Sequence, residues 1–397
     1  MTLGRRPFRF RLLGLAGALA LVLAGCGRAD GPRRPDPAAG PASDRGTAGP
    51  GSTAATDRAI DVEEVWRWPA PPPGNVGMPA ADGKGVAATY GHLGVVLLGL
   101  DGTRRWELER LGLRDVAPAL TADLVVAATE EGVLAVDRAS GRLRWDTPLG
   151  ERANTPVIAG GLAVVSTWEG SLIALDLADG HVVWRTALPG PALGPAATDG
   201  TAVAVTWEST PGDAAGAVVV DAADGRQRWS VPLEPGGVGG PAIVALPAES
   251  TSVVVAVAGD IAAHALDLAD GSERWRAEAE GKGSPEVPPL PLGGEVLVAH
   301  RLAGLMLLDA GTGAEQWIGS ADGAAVRGGP AGLGPDGPFA FAIDDGRLFL
   351  VGPGLEPRLL DWPGRVSGVA MTADGRVLVG TREAGANYLI ALDIAPA

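Results

Sequence analysis

A tryptophan returns about every forty residues along this chain, at Trp66, Trp106, Trp145, Trp184, Trp229, Trp275, Trp317 and Trp362. In five repeats an Asp stands eight residues earlier, at Asp137, Asp176, Asp221, Asp267 and Asp309, with a Gly between the two. Between these marks lie short β-branched runs, such as 124–129 and 253–257, that read as strands. One such unit cannot bury its own apolar faces. Stacked copies can, and a strand-bearing repeat of this length predicts a β-propeller. The 60 glycines and 33 prolines suit the many turns of such a fold.

Residues 154–188 serve as the template. A strand starts at Pro156 and turns at Gly160-Gly161; a second strand covers 162–167 and turns at Trp168-Glu169-Gly170. A third covers 171–176 and turns at Ala178-Asp179-Gly180, and an outer strand over 182–186 carries Trp184. Alternating apolar residues with Gly and Asp at the turns are the pattern of antiparallel hairpins. The last repeat has a third strand at 388–393 and no outer strand, whereas 63–68 is an outer strand with no blade before it. Joining them predicts an all-β, eight-bladed propeller of four-stranded antiparallel blades, with the N-terminal strand completing the C-terminal blade and leaving no free edge. The seventh blade is degenerate, since Trp362 follows Gly352 and Pro353 instead of an Asp turn. The first has a shortened turn, with Asp101 five residues before Trp106. A seven-bladed ring is the competing reading.

The N-terminus reads as a targeting segment. Arg5, Arg6, Arg9 and Arg11 precede an apolar stretch over 12–25, too short to span a bilayer comfortably. Leu23-Ala24-Gly25-Cys26 resembles a bacterial lipobox, which implies a signal peptide over 1–25, cleavage before Cys26 and a lipid on its thiol. Arg5-Arg6-Pro7-Phe8 also resembles a twin-arginine signal, without the usual Ser or Thr before the pair, so export folded or unfolded both stay open. Residues 26–59 are small, polar and Pro-rich, and cannot repay the entropy of ordering. They form a tether of about 30 Å r.m.s. span. The propeller is expected over 60–397, outside the cytoplasm, as a lipid-anchored monomer.

Cys26 is the sole cysteine, so no disulfide can form within the chain. Cleavage removes four arginines and no acids, taking the formal charge from −15 to −19. A chain this acidic, with Lys84 and Lys282 as its two lysines, argues against nucleic acid as a partner.

The segments Ala135-x-Asp137-x-x-x-Gly141-x-x-x-Trp145, Ala174…Asp176…Gly180…Trp184 and Ala265…Asp267…Gly271…Trp275 resemble the tryptophan-docking motif of pyrroloquinoline-quinone-like propellers. The resemblance covers about 62–397 and implies that each period tryptophan packs between adjacent blades while the Asp and Gly shape the turn. That family holds quinoprotein dehydrogenases and also cofactor-free scaffolds, among them a lipoprotein of the outer-membrane assembly machinery. The dehydrogenases resemble this chain in the repeat alone. Their Ca²⁺ and quinone, and in many a disulfide between neighbouring cysteines, are what membership of that branch would imply. The disulfide is impossible here. The acidic pairs Glu130-Glu131 and Asp344-Asp345 read as solvated turns, not as the oxygen-rich cage calcium needs. His92, His181, His264 and His300 lack metal-ligand spacing, with His264 alternating inside a strand as a packed residue. No nucleophile elbow or phosphate loop occurs.

The reading is therefore a non-catalytic scaffold without a cofactor that binds a cell-envelope protein or polymer. The alternatives are a quinone-binding oxidoreductase and a sensor for a small anion. In the resembled fold the turns after each second strand and the connections between blades share one face at the channel mouth. Here these bring Tyr90, Glu130, Trp168, Trp207, Arg301, Asp344 and Arg382, together with Arg114, Arg152, Asn154, Lys282, Arg327 and Arg365. The resulting rim is rich in cations and aromatics. Trp168 and Trp207 break the tryptophan period and occupy equivalent turns, each after Thr and before Glu. They are either a stacking surface for a partner or packing over their own blades. The long loops 208–216 and 278–288 mark a second sector for partner contact.

Overall fold

The computed structural model describes residues 60–396, apart from 73, 211, 237–238, 260–261, 279–286, 301–303, 320–330, 333, 336, 344–346, 353–357 and 361–363. The segments expected to be signal peptide and tether, with Cys26, lie outside these residues, as does Trp362. The described residues contain no helix. They form eight antiparallel sheets, seven of four strands and one of three. In chain order these span 80–109, 119–148, 157–187, 197–233, 242–278, 290–319 and 339–360; the eighth joins 364–396 to 60–70. The template repeat folds as Val157–Ala159, Leu162–Ser166, Ser171–Asp176 and Val182–Ala187, paired in sequence order. Each strand boundary lies within a residue of the expected one.

The N-terminal strand Ile60–Ala70 pairs antiparallel with Ala386–Pro396, from Ile60↔Pro396 to Ala70↔Asn387. The three-stranded sheet is the one expected to be degenerate. Among the described residues its inner strand is reduced to a bridge between Ala331 and Ala340.

The two middle strands of most sheets are buried along most of their length, as in Gly94–Leu98 and Leu124–Ala128. Both their faces are covered, so the core is sheet against sheet. Ala87, Val95 and Leu97 of the first sheet meet Val125, Leu134 and Val136 of the second. Trp68, Leu378 and Leu389 of the eighth meet Val86, Val96 and Leu98 of the first. The inner strand Ala80–Asp82 lies against both Ala119–Leu120 and Gly364–Met371.

The period tryptophans join these sheets. Trp106, Trp145, Trp184, Trp229 and Trp275 are all buried. Each indole N–H donates to a backbone carbonyl one sheet further on: Trp66 to Leu100, Trp106 to Arg138, Trp145 to Leu177, Trp184 to Ala222, Trp229 to Leu268 and Trp275 to Ala310, at 2.7–2.9 Å. The ring rests on the Gly of that next repeat. At Gly180 φ is +78°, and a Cβ there would fall 2.5 Å from Trp145 Cδ2. The Gly is thus required twice, by its left-handed backbone and by the ring above it. The repeat Asp holds the same turn. Asp176 Oδ1 accepts from the Ala178 N–H at 2.7 Å, and the Asp176 carbonyl accepts from the Gly180 N–H at 2.8 Å. The side chain of Trp317 lies outside the described residues.

A β-bulge in the outer strand aims each of these rings. Ala174 pairs with Trp184 but Leu175 pairs with Val182, so one residue is extra. Val182 and Val183 both turn outward, 40% and 42% exposed, and Trp184 turns in. The same irregularity recurs at Leu97/Leu98, Ala135/Val136, Val219/Val220, Ala265/Leu266 and Leu307/Leu308.

Candidate functional site

In the second, third and fourth sheets the turn after the second strand bonds to the connection that enters the sheet. The Glu130 N–H donates to the Gly112 carbonyl at 2.8 Å, the Trp168 N–H to Arg152 at 3.2 Å and the Glu208 N–H to Pro191 at 3.0 Å. These turns and connections therefore share one end of the sheets, opposite the Asp-Gly turns.

At that end the first four sheets assemble one connected group from the expected residues. Trp168 stands in the turn after Leu162–Ser166 and is 38% exposed. Arg152 Cζ lies 5.1 Å and Arg114 Cζ 5.7 Å from its ring centroid. A guanidinium near an indole face is worth about 0.5–1 kcal/mol at an exposed site. The Trp168 indole N–H donates to Asn154 Oδ1 at 2.9 Å. Asn154 is buried, and its Nδ2 donates to Ser166 Oγ, the Ala192 carbonyl and the Gly194 carbonyl at 2.9–3.1 Å. The ring is fixed from below while one side stays open to solvent. Leu193, between those two carbonyls, is 42% exposed.

The arginines are held by acids that the sequence did not single out, Glu130 excepted. The Arg152 side chain reaches Glu169 Oε1 at 3.0 Å while its backbone N–H donates to Glu169 Oε2 at 2.8 Å. Burial pushes the Glu169 carboxyl up, but the Arg152 bonds outweigh it and hold it below the ordinary range. Arg114 lies 3.7 Å from Glu130 and is mostly buried, with its Nε unpartnered among the described residues. Next to it Asp115 is pushed above the usual carboxylate value by burial, against the pull of His92. His92 lies between Asp115 and Glu130, at 3.7 and 3.8 Å, with its backbone at φ +57°. A left-handed histidine is uncommon and could have flagged this turn, but only from coordinates.

The remaining expected residues stand apart. Tyr90 is buried; its hydroxyl donates to Glu107 at 2.6 Å and its ring meets Trp68 edge-on at 5.9 Å. Trp207 is not equivalent to Trp168. It lies inside the strand Ala202–Glu208, packed with its sheet's core, its ring close to Gly190 and Gly216. Arg365 and Arg382 face each other on neighbouring strands of the eighth sheet. Arg301, Arg327, Asp344 and Lys282 lie outside the described residues, as do Asp345 and most of the loop 278–288.

Among the described residues no three His, Cys, Asp or Glu side chains converge to hold a metal ion. Glu130 is taken up by Arg114 and His92. His264 is buried between Glu273 and Glu234, which lie at 2.8 and 3.1 Å on opposite sides of its ring, a spacing that does not chelate.

The family model described as outer membrane protein assembly factor BamB matches residues 34–157, 129–232 and 213–353. No curated protein matches the sequence. BamB from Moraxella catarrhalis superposes with a TM-score of 0.64 at 14% identity, covering 84% of this chain and 100% of that one. The computationally designed Ika8 protein gives 0.63 at 12% identity, over 80% and 96%. A europium-containing methanol dehydrogenase gives 0.62 at 12% identity, over 82% and 85%. At these identities the structures establish a shared β-propeller fold. They include both a BamB and a dehydrogenase, so the fold leaves the choice between scaffold and enzyme to the residues.

Proposed function

This chain belongs to the family of the outer membrane protein assembly factor BamB, and from that membership we infer that it is a non-catalytic propeller scaffold that holds a cell-envelope protein near a membrane. An eight-bladed closed ring is the architecture we assign. It is supported by the eight sheets, by the pairing of the first strand with the last, and by Trp66 docking from the eighth sheet onto the first. Lipidation at Cys26 and the tether over 26–59 would hang the ring from the bilayer.

The observation that carries the reading is Trp168, a partly exposed indole with two arginines beside its ring, pinned by a buried asparagine. An exposed Trp flanked by Arg is the composition of a binding hot spot. Its side chain needs little ordering when a partner arrives, because Asn154 has already fixed it. Leu193 extends the apolar part of the surface, and Leu111, 71% exposed, lies in the same connection as Arg114.

Crosslinking capture with the mature lipoprotein tests this. Trp168→Ala should weaken the captured complex about thirtyfold or more, the size expected of a hot-spot residue. It should leave the melting temperature close to wild type. Undiminished capture by Trp168→Ala and by an Arg114→Ala, Arg152→Ala double variant would refute the assignment of this surface.

A further inference from the structure

We propose that Arg365 and Arg382, at the turn-bearing end of the eighth sheet, form a binding site for a doubly charged oxyanion, with carboxylate or phosphate oxygens as the recognised chemistry. The two residues are direct cross-strand partners, Arg365 on Gly364–Met371 and Arg382 on Val377–Glu383. Directly opposed side chains lie on one face of a sheet with Cβ atoms about 4.5–5.5 Å apart. Both are exposed. The row they begin runs on through Asn387 to Ala70, so it holds no acid across four strands. The nearest acid in sequence, Glu383, alternates to the other face and holds Arg67 at 2.6 Å.

This pairing runs against the habit of the molecule. Net charge is −15, and most other described arginines stand against acids, as do Arg110 on Asp146, Arg185 on Glu151 and Arg376 on Asp393. Among the described residues Arg365 and Arg382 have no ion-pair partner, although like charges directly opposite one another destabilise a sheet. A fold with acids to spare that sets two unpaired arginines directly opposite one another has a ready anion site. Each planar fork presents parallel N–H donors that match a carboxylate or phosphate edge. A β-bulge between Val366 and Gly368 follows directly after Arg365, a device that re-aims side chains next to binding sites. Asn387, the next member of the row, is buried and bonds through Nδ2 to the Gly74 carbonyl, which fixes the strand that supports Arg382. This site is separate from the surface around Trp168 and does not depend on it.

Calorimetric titration of the mature chain at about 0.15 M chloride, where long-range attraction is screened, provides the test. The probes are succinate and inorganic phosphate, with acetate as a singly charged control. Saturable binding of succinate or phosphate is expected, and the stronger of the two identifies the source. Arg365→Gln and Arg382→Gln should each weaken it tenfold or more, the loss of one charge-assisted pair. Arg142→Gln, an exposed arginine at the opposite end, should leave it unchanged. Without ligand, Arg365→Gln and Arg382→Gln should melt at or above the wild-type temperature, because each removes a like-charge repulsion. Absence of saturable binding by either probe, equal binding by both variants, or a marked fall in their unliganded melting temperature would overturn the proposal.

Discussion

Truncating Trp184 gives the sharpest test of how the sheets are joined. Its side chain is buried, its N–H donates to the Ala222 carbonyl at 2.9 Å, and its ring rests on Gly225. A Trp buries about 150–250 Å², which at about 25 cal/mol per Å² corresponds to ~4–6 kcal/mol as an upper value. Trp184→Ala should therefore cost about 4 kcal/mol, in the range found for large core truncations. Gly225→Ala attacks the same contact from the other side. Its φ is +71°, and a Cβ would stand 2.6 Å from Trp184 Cδ2. The left-handed backbone costs about 1 kcal/mol and the overlap with the ring about 1–3 more. In the double variant the space vacated by the indole admits the new methyl, so only the backbone part should remain. Urea unfolding of the two single variants and the double variant should then show a coupling of about 1–3 kcal/mol, the double being more stable than the sum. Costs that add within about 0.5 kcal/mol would refute the seating of Trp184 on Gly225.

Arg138 is buried and forks onto Asp82 of the neighbouring sheet through two 2.6 Å bonds. Asp82→Asn should cost about 2–3 kcal/mol at neutral pH, below the full value for a buried pair because Asp82 itself is partly exposed. The Arg138 bond holds the Asp82 carboxyl below its ordinary value. A lowered folded value means that the stabilisation is present above the unfolded carboxyl's pKa, about 3.9, and is lost as pH falls through the folded one. Urea midpoints taken from neutral pH down to about pH 2 should show Asp82→Asn approaching wild type at the acid end, and a constant gap would contradict the pair. Asn154→Ala removes the acceptor of Trp168 and the donor to two buried carbonyls. It should cost about 2–3 kcal/mol and make the Trp168 side chain mobile, read as increased quenching of its fluorescence by added acrylamide.

The repeat was legible because it is local. Strand, Gly-Asp turn and tryptophan recur at a spacing set by the length of one blade, so the template strands and the joining of 63–68 to the C-terminal strand followed from sequence; the strand itself runs longer, Ile60–Ala70. The motif also marked the Gly of each turn, but that the preceding repeat's ring rests on it came from the structure. The site was less legible. Trp168 and Trp207 have the same neighbours, Thr before and Glu after. Yet one stands in a turn beside two arginines and the other is absorbed into a strand. That difference comes from the length of the second strand, Leu162–Ser166 against Ala202–Glu208, and from the glycines Gly190 and Gly216 that receive the second ring. Tyr90 read as part of the rim because its position after a second strand matches the others; Trp68 and Glu107, distant in sequence, draw it inward.

Sequence alone determined the architecture: the repeat length, the turn chemistry and the sheet-to-sheet tryptophans, because each is satisfied within one repeat and its neighbour. Tertiary structure alone decided which charged and aromatic side chains face solvent. The bulge that turns Val182 and Val183 out and Trp184 in, the acids that claim Arg114 and Arg152, and the opposition of Arg365 to Arg382 depend on register and on contacts between sheets. A one-residue shift in register moves every side chain to the other face, and no local pattern encodes which partner waits there.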